Sequence, residues 1–504
     1  MKRRDFLKYV SLGAVSLGMP EQLISRTATA ATAKRKANIL WIMMDDGRAD
    51  ALGCYGKSWA KTPNMDRIAK EGVRFKTAIV QNPVCVPSRS SMDTGRYCRA
   101  FGIMAMGKPA ETKEPYLKQE QIEKIKQTPC MLDAWNQAGI QPTNVGKIHA
   151  YREAWLQKGD RGPLVNVFGK PHTPELKEKF EEFDKTNPYP TVNIKTHRWM
   201  IGGVVPIKPE ETQTWCLGDM AVKALKEMTA SDKPFFLRVS FHAPHVPCRV
   251  PPEYMIDPAK IDLPLPTEEE LKNKPRFERE QLRVYAGGLD LTKKQIDTCR
   301  GTYYGMVSLV DTQVGRLLKV LEEAGQLDNT IIAINSDQGF QLGEHGLWKK
   351  RVLYDQNVCI PFIFSCPKLL PKNKVIDEPV EMVDFLPTLM DLSQLKVPTN
   401  ISGRSLMPLI EGKVKKWREA CFCEIDHSSS MYDELRTGTG RRVMVRTKEW
   451  KLIYFMDALV KDKDGALYNL LKDPGEIDNL YNDPKYKHVI EYLEGLAKKW
   501  DENI

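Results

Sequence analysis

Six short stretches of this chain carry residues whose types and spacing suit them to joint chemistry. Cys85-Val86-Pro87-Ser88-Arg89 places a thiol four residues before a guanidinium and is followed by Thr94-Gly95-Arg96. A cysteine can act as the nucleophile of covalent catalysis, which splits one difficult step into two easier ones. Beside a Pro-Ser turn it can equally be a small buried hydrophobe. Asp45-Asp46-Gly47 and Ser336-Asp337-Gln338 offer carboxylate and amide oxygens. Oxygen donors of this kind select a hard cation, calcium or magnesium, over zinc. A lone Asp-Asp-Gly is also the composition of a solvated turn, so the pairing of the two stretches is what argues for an ion. The other three stretches are basic: Gly146-Lys147-Ile148-His149, His242-Ala243-Pro244-His245-Val246-Pro247, and Gly343-Glu344-His345-Gly346-Leu347-Trp348-Lys349-Lys350. Cationic donors aimed at developing negative charge in a site closed to water usually give the largest catalytic contribution. Taken singly, each stretch also has a plain reading as a satisfied histidine or a solvated Lys-Lys-Arg face.

These residues need a frame that brings them to one edge. Asn38 to Met44 is a nearly continuous apolar run ending at Asp45, the pattern of a strand buried on both faces of a largely parallel sheet. Runs of the same type cover Pro234–Phe241, Thr330–Asn335 and Pro361–Ser365, with helical periodicity between them over Pro63–Glu71, Pro129–Ala138, Thr212–Thr229 and Tyr304–Ala324. In the last of these, Val307, Val310, Val314, Leu317, Leu318 and Leu321 recur at helical spacing. The alternation predicts an α/β fold: a large mixed, mostly parallel sheet sandwiched by helices, with ligands beyond the carboxyl ends of the strands. Near residue 395 the character changes. Cys421–Ile425, Arg442–Arg446 and Lys451–Phe455 read as short strands, and a helix from about Pro484 to Trp500 closes the chain. The expected organisation is a signal over 1–33, a catalytic α/β domain over 34–395, and a C-terminal α+β subdomain with a short antiparallel sheet over 396–504. Stretches 103–128, 155–210 and 250–290, rich in Lys, Glu and Pro, read as long insertions, which in compact domains are often functional.

The whole chain sets outer bounds. Its 504 residues suffice for a large core, and 42% hydrophobic with 28% charged residues is the balance of a water-soluble globular protein. The amino terminus reads Lys2-Arg3-Arg4-Asp5-Phe6-Leu7-Lys8, then an apolar stretch from Tyr9 to Met19, then Ala28-Thr29-Ala30-Ala31-Thr32-Ala33. Paired arginines, a short apolar core and an Ala-x-Ala end resemble a bacterial twin-arginine export signal. The apolar stretch is too short to span a bilayer, which takes about twenty residues. The expectations are passage through the twin-arginine translocase, cleavage, no stable membrane insertion afterwards, and a periplasmic or secreted protein. The formal charge is +10, and residues 1–33 hold five basic and two acidic side chains, so their removal would leave +7. That mild bias suits an anionic substrate, and nucleic acid is not an expected partner. Eleven cysteines contain no CxxC pair, which argues against a zinc ribbon.

The run beginning at Cys85, with Thr94-Gly95-Arg96 after it, resembles the signature of the type I sulfatases, in the alkaline phosphatase superfamily. The resemblance extends to the acidic and basic stretches above and to Tyr303-Tyr304-Gly305, Val310-Asp311, Gly315-Arg316, Asp384 to Leu389, Glu449-Trp450-Lys451-Leu452, Asp473-Pro474 and Asn479-Leu480. It implies that a formylglycine-generating enzyme oxidises Cys85 to formylglycine. The hydrate attacks sulfur, and its second hydroxyl then expels sulfate. It further implies one calcium ion, ahead of magnesium, held by Asp45, Asp46, Asp337, Gln338 and residue 85. Arg89 would brace the nucleophile, Lys147 would contact nucleophile and sulfate, and His149 would be the general base. His245 would protonate or hydrogen-bond the leaving oxygen, and Lys350 would bind sulfate, with Lys349 a rival. His242 and His345 are read as orienting residues. Departures from the family pattern are Gln338, where Asn or His is usual, Asp93, where an apolar residue is common, and Ile148, where an aromatic is frequent. The Gly-Glu-His-Gly-Leu-Trp loop and the Phe-His-x-Pro-His-x-Pro segment look most like the iduronate-2-sulfatase and choline-sulfatase branch, which implies a sulfated polysaccharide or glycosaminoglycan fragment as substrate. The alternatives are a phosphomonoester or phosphodiester hydrolase of the same superfamily, or an inactive polysaccharide-binding homologue.

Overall fold

The computed structural model describes residues 36–56, 59–104, 131–148, 164–165, 191–194, 197–200, 202–285, 291–426, 441–456 and 464–504. The export-signal reading of residues 1–33 and the assignment of His149 lie outside them.

An eight-stranded sheet forms the centre, ordered Lys374–Ile376, Val73–Phe75, Phe362–Ser365, Thr330–Ser336, Asn38–Asp45, Phe236–Pro244, Pro142–Gly146 and Leu164–Val165. Asn38–Asp45 is parallel to both of its neighbours, while Phe362–Ser365 runs antiparallel on each side. Helices cover both faces, as an α/β sandwich requires. The central strand shows why. Ile39, Trp41 and Met43 enter one apolar cluster, and Leu40, Ile42 and Met44 enter the other, so the period-two alternation buries the strand twice over. The second cluster is roofed by Gln213–Thr229 and by the long helix Lys293–Glu323, which supplies Val307, Val310, Val314, Leu317, Leu318 and Leu321.

Towards the carboxyl terminus, Cys421–Asp426, Arg441–Arg446, Trp450–Phe455 and Gly465–Asn469 form an antiparallel four-stranded sheet. Met444, Ile453, Ala466 and Tyr468 face the first cluster, whereas Val443, Val445, Leu452 and Leu467 lie against Val489, Leu493, Ala497 and Trp500 of the terminal helix Lys487–Glu502. The small sheet therefore shares the main core on one face and carries its own helix on the other.

Register positions the chemistry. Asn38 pairs with Thr330, and the match holds in step to Met44 with Ser336, so the next residue on each strand, Asp45 and Asp337, emerges beside the other. On the opposite side Ser240 pairs with Met43 and with Gly146, and Lys147 follows directly. All these strands end at one edge, where ligands of parallel sheets collect.

Candidate active site

Cys85 is the first residue of the helix Cys85–Thr94, whose ten residues are all buried. The helix ends at Gly95 in the left-handed conformation, a common C-terminal stop, with the Gly95 N–H donating to the Ser91 carbonyl. Its amino end is fastened to the strand edge: Ser88 Oγ donates to the Asp337 carbonyl, and Arg89 Nε donates to Asp337 Oδ2 at 2.6 Å. Arg89 Nη1 reaches Ser240 Oγ at 2.9 Å and the Lys147 carbonyl at 3.3 Å, so one guanidinium ties three strand ends to the helix.

The thiol sits within a ring of polar atoms. Cys85 Sγ is 2.7 Å from Lys350 Nζ, 3.2 Å from Gln338 Nε2 and 3.5 Å from Asp45 Oδ1. Lys350 Nζ also donates to Asp46 Oδ1 at 2.8 Å, and Lys147 Nζ pairs with Asp45 Oδ2. His245 Nε2 lies 3.7 Å from Asp46 Oδ2, while its Nδ1 is 2.6 Å from the Val246 carbonyl. A carbonyl can only accept, so Nδ1 carries a proton, and in the neutral ring Nε2 presents a lone pair to the site. The His242 ring lies 4.7 Å from that of His245. The structure thus brings together Asp45, Asp46, Cys85, Arg89, Lys147, His245, Asp337, Gln338 and Lys350. Lys349 is buried on the same turn as Lys350, with its carbonyl accepting from Asn357 Nδ2.

Glycine is required at one of these corners. Gly146 has φ +96°, and a Cβ there would stand 2.1 Å from the Ser240 carbonyl oxygen, so the backbone can turn Lys147 into the site only without a side chain.

Charge is densely packed. Burial drives the Asp45 carboxyl upward, yet Lys147, His245, Arg89 and Lys350 together hold it well below the usual carboxylate range. Asp46 is pushed up to about 6 by burial, with Asp45 and Asp337 adding to the rise against Lys350. Asp337 is raised for the same first reason, against Arg89. Burial, reinforced by Asp45, pushes the Cys85 thiol up to about 12. Burial, with Lys350 next, lowers His245 well below the ordinary imidazole value.

Ligand atoms of Asp45, Asp46, Cys85 and His245 all lie within 4.8 Å of one another, a spacing that can hold a metal ion. Two buried oxygens fit that use: Asp46 Oδ2 and Gln338 Oε1 have no hydrogen-bond partner. Gln338 turns its amide nitrogen toward Asp45, Asp46 and Cys85, and a half-turn of the amide brings Oε1 to the same place. An oxygen-rich donor set with Asp46 incompletely compensated suits a hard cation.

Three further residues, none assigned a role from the sequence, support the site. Ser240 supports Arg89, Ser336 Oγ accepts from the Gly47 N–H at 2.8 Å, and Tyr303 OH donates to the Asp46 carbonyl at 2.7 Å. A small hydroxyl inside a buried strand leaves the apolar pattern intact, so Ser240 gives no signal, whereas Ser336 opens the Ser336-Asp337-Gln338 stretch. Tyr303 does fall in the Tyr303-Tyr304-Gly305 framework match.

Residues 37–395 match the family model described as Sulfatase, and residues 343–502 match that of the N-sulphoglucosamine sulphohydrolase C-terminal region. The chain is 29% identical over 485 residues to an arylsulfatase of Clostridium perfringens, covering 92% of this chain and 94% of that one. It is 27% identical over 568 residues to an N-acetylglucosamine-6-O-sulfatase of Bacteroides thetaiotaomicron, covering 99% and 93%. Against iduronate 2-sulfatase of Homo sapiens it is 29% identical over 402 residues, covering 72% and 70%. Among solved structures, a phosphonate monoester hydrolase of Agrobacterium radiobacter superposes with TM-score 0.75 at 23% identity, covering 93% of this chain and 96% of that one. A structure in complex with its substrate D-glucosamine-2-N,6-O-disulfate superposes with TM-score 0.65 at 22% identity, covering 93% and 98%. These two likenesses show the shared fold.

Proposed function

The chain belongs to the sulfatase family and is a sulfuric ester hydrolase, and from that premise we propose an exported enzyme that removes sulfate from sulfated saccharides through a formylglycine made from Cys85. The observation that carries this reading is the convergence on Cys85 Sγ of the Asp45 carboxylate, the Gln338 amide and the Lys350 ammonium. The names of relatives that act on N-acetylglucosamine-6-O-sulfate and on iduronate 2-sulfate support a sulfated sugar, most plainly a glycosaminoglycan or polysaccharide fragment.

Formylglycine, as its hydrate, supplies a nucleophile that can shed the sulfate it has captured, which a serine or cysteine ester does poorly. Asp45, Asp46, Asp337, Gln338 and residue 85 would hold calcium, which supplies positive charge beside nucleophile and sulfate. The chain's own groups do the remainder. Arg89, fixed by Asp337 and Ser240, braces residue 85 from behind. Lys147 and Lys350 reach the centre from different loops and bind sulfate oxygens as charge develops on them. His245 has its Nδ1 proton committed to Val246, so it becomes a donor to the leaving oxygen only after Nε2 takes up a proton. His149 is assigned as general base for releasing sulfate. Among the described residues no helix is long and apolar enough to cross a membrane, and export through the twin-arginine translocase rests on the amino-terminal motif.

Two measurements on protein from its own host test the reading. Aryl sulfate should be hydrolysed in clear preference to aryl phosphate, with Cys85→Ala inactive, and the signature peptide should carry the mass of an aldehyde in place of a thiol. Preference for phosphate would replace the sulfatase reading with that of a phosphoester hydrolase. An unmodified, fully active Cys85 would remove formylglycine.

A further inference from the structure

Lys350 rides on a turn that the chain would not adopt unaided. Gly343, His345, Gly346, Lys349 and Arg351 all have positive φ, at 99°, 57°, 75°, 71° and 77°. Three of the five are not glycine, and L residues rest in that region only when their surroundings hold them there. The surroundings include a part of the chain with no place in the chemistry above, the inserted stretch bearing the short helices Glu268–Asn273 and Arg276–Tyr285.

That stretch grips the turn on both sides of Lys350. Before it, His345 Nδ1 is 2.8 Å from Glu270 Oε1, and the imidazole is stacked on the Tyr354 ring at 3.8 Å and 8°. After it, Tyr354 OH takes a hydrogen bond from Lys274 Nζ at 2.9 Å and donates one to Glu278 Oε2. Lys274 Nζ closes the set with Glu270 Oε1 at 3.0 Å. Glu270, Lys274, Glu278 and His345 are all buried. Sequestering so many ionisable groups is a poor way to gain stability, since apolar packing of the same volume usually does as well or better. What directional bonds add is geometry. We propose that Glu270 is a positioning residue for the sulfate-binding lysine: by fixing His345 it holds the turn that delivers Lys350 Nζ to Cys85 and Asp46. The inserted stretch is then part of the active-site frame. This inference rests on the assignment of Lys350 to sulfate.

The test is a double-mutant cycle on aryl sulfate hydrolysis, with melting temperature followed in parallel. Glu270→Ala should lower kcat/KM by about ten- to a hundredfold, the scale of a small misplacement of a catalytic group. Glu270→Gln, which still offers His345 an oxygen, should recover most of that loss. In a Lys350→Ala background Glu270→Ala should have no further effect on kcat/KM, while its effect on melting temperature stays the same. Equal losses in both backgrounds, or no loss in either, would overturn the proposal. A fully active Lys350→Ala protein would overturn the assignment of Lys350 itself, and the two failures are distinct. If Glu270→Ala does not fold, His345→Ala removes the same contact from the turn side and enters the same cycle with the same expectations.

Discussion

Asp93 stands in the signature helix where an apolar residue is usual, and the structure gives its partner. Arg238, in the middle of the buried strand Phe236–Pro244, places Nη1 3.2 Å from Asp93 Oδ1, Nε 2.5 Å from Asn144 Oδ1, and its guanidinium 5.0 Å over the Trp41 ring. The pair locks the far end of the helix to the sheet, as Arg89 locks the near end. Asp93→Leu, which repairs the family pattern, should therefore destabilise by about 3–5 kcal/mol, because it takes the Asp93 carboxylate away from a buried guanidinium. Chemical denaturation of the single variant and of the double variant with Arg238→Met checks this, the double being closer to wild type. Each half of the pair was visible as a charge in an apolar context, yet nothing in the order of residues says which acid meets which base across 145 positions. The reactive residues were more legible, since their types recur in short motifs. Lys350→Ala, which removes an ammonium group from the centre, should lower kcat by about a hundred- to a thousandfold, the cost of losing one donor to a developing oxyanion.

At the level of elements, the strands that run into the site were readable from their apolar runs, and the helix that carries Cys85 was not readable by period. All ten of its residues are buried although six of them, Ser88, Arg89, Ser90, Ser91, Asp93 and Thr94, are polar or charged, so apolar residues do not recur at a 3.6-residue spacing. The long helix begins at Lys293, well before the periodic stretch from Tyr304, because its first turns are polar and its start is set by a Thr292 and Gln295 capping box. Val73–Phe75 and Lys374–Ile376 are too short for alternation to register. The segment that follows Lys350 is held to the small sheet by ions: Asp355 meets Arg446 Nη2 at 3.0 Å and Lys451 Nζ at 2.6 Å. Burial pushes the Asp355 carboxyl up, but Arg446 and Lys451 together hold it well below the usual range. A depressed carboxyl contributes stability that is present above the unfolded value, near about 4, and is lost as pH falls through the folded one. Asp355→Asn should accordingly lower stability at pH 7 by roughly 2–3 kcal/mol, the scale of hydrogen bonds to charged groups, and the gap in melting temperature from wild type should narrow as pH drops below about 4.

Over the whole molecule, segments from beyond residue 395 share the core of the main sheet. Cys421, Cys423, Ile425, Met444, Ile453 and Tyr468 from beyond it enter the same apolar cluster as Trp41 and Phe75. A protein ending at residue 395 would expose that face of the cluster, and we expect it to be insoluble or to lack a cooperative melting transition, measured by calorimetry. Contact between distant segments is the part of the fold that composition could not report. The proposed ion should also act on the molecule as a whole, because a ligand of the folded state alone stabilises by mass action. Treatment with a calcium chelator should abolish sulfatase activity and lower the melting temperature, and added calcium should restore both. A melting temperature indifferent to chelator would count against the ion.

Cys85 is 1% exposed, seated beneath its helix and behind three strand ends. A protein catalyst cannot reach such an atom once the chain has closed over it, so the proposed conversion of Cys85 to formylglycine would have to precede folding. Each finished molecule would keep a permanent record of whether the modifying enzyme was present at its birth. A purified, folded, unmodified batch could not be repaired by adding that enzyme later, and the fraction of active molecules in any preparation would report on the cell that made it.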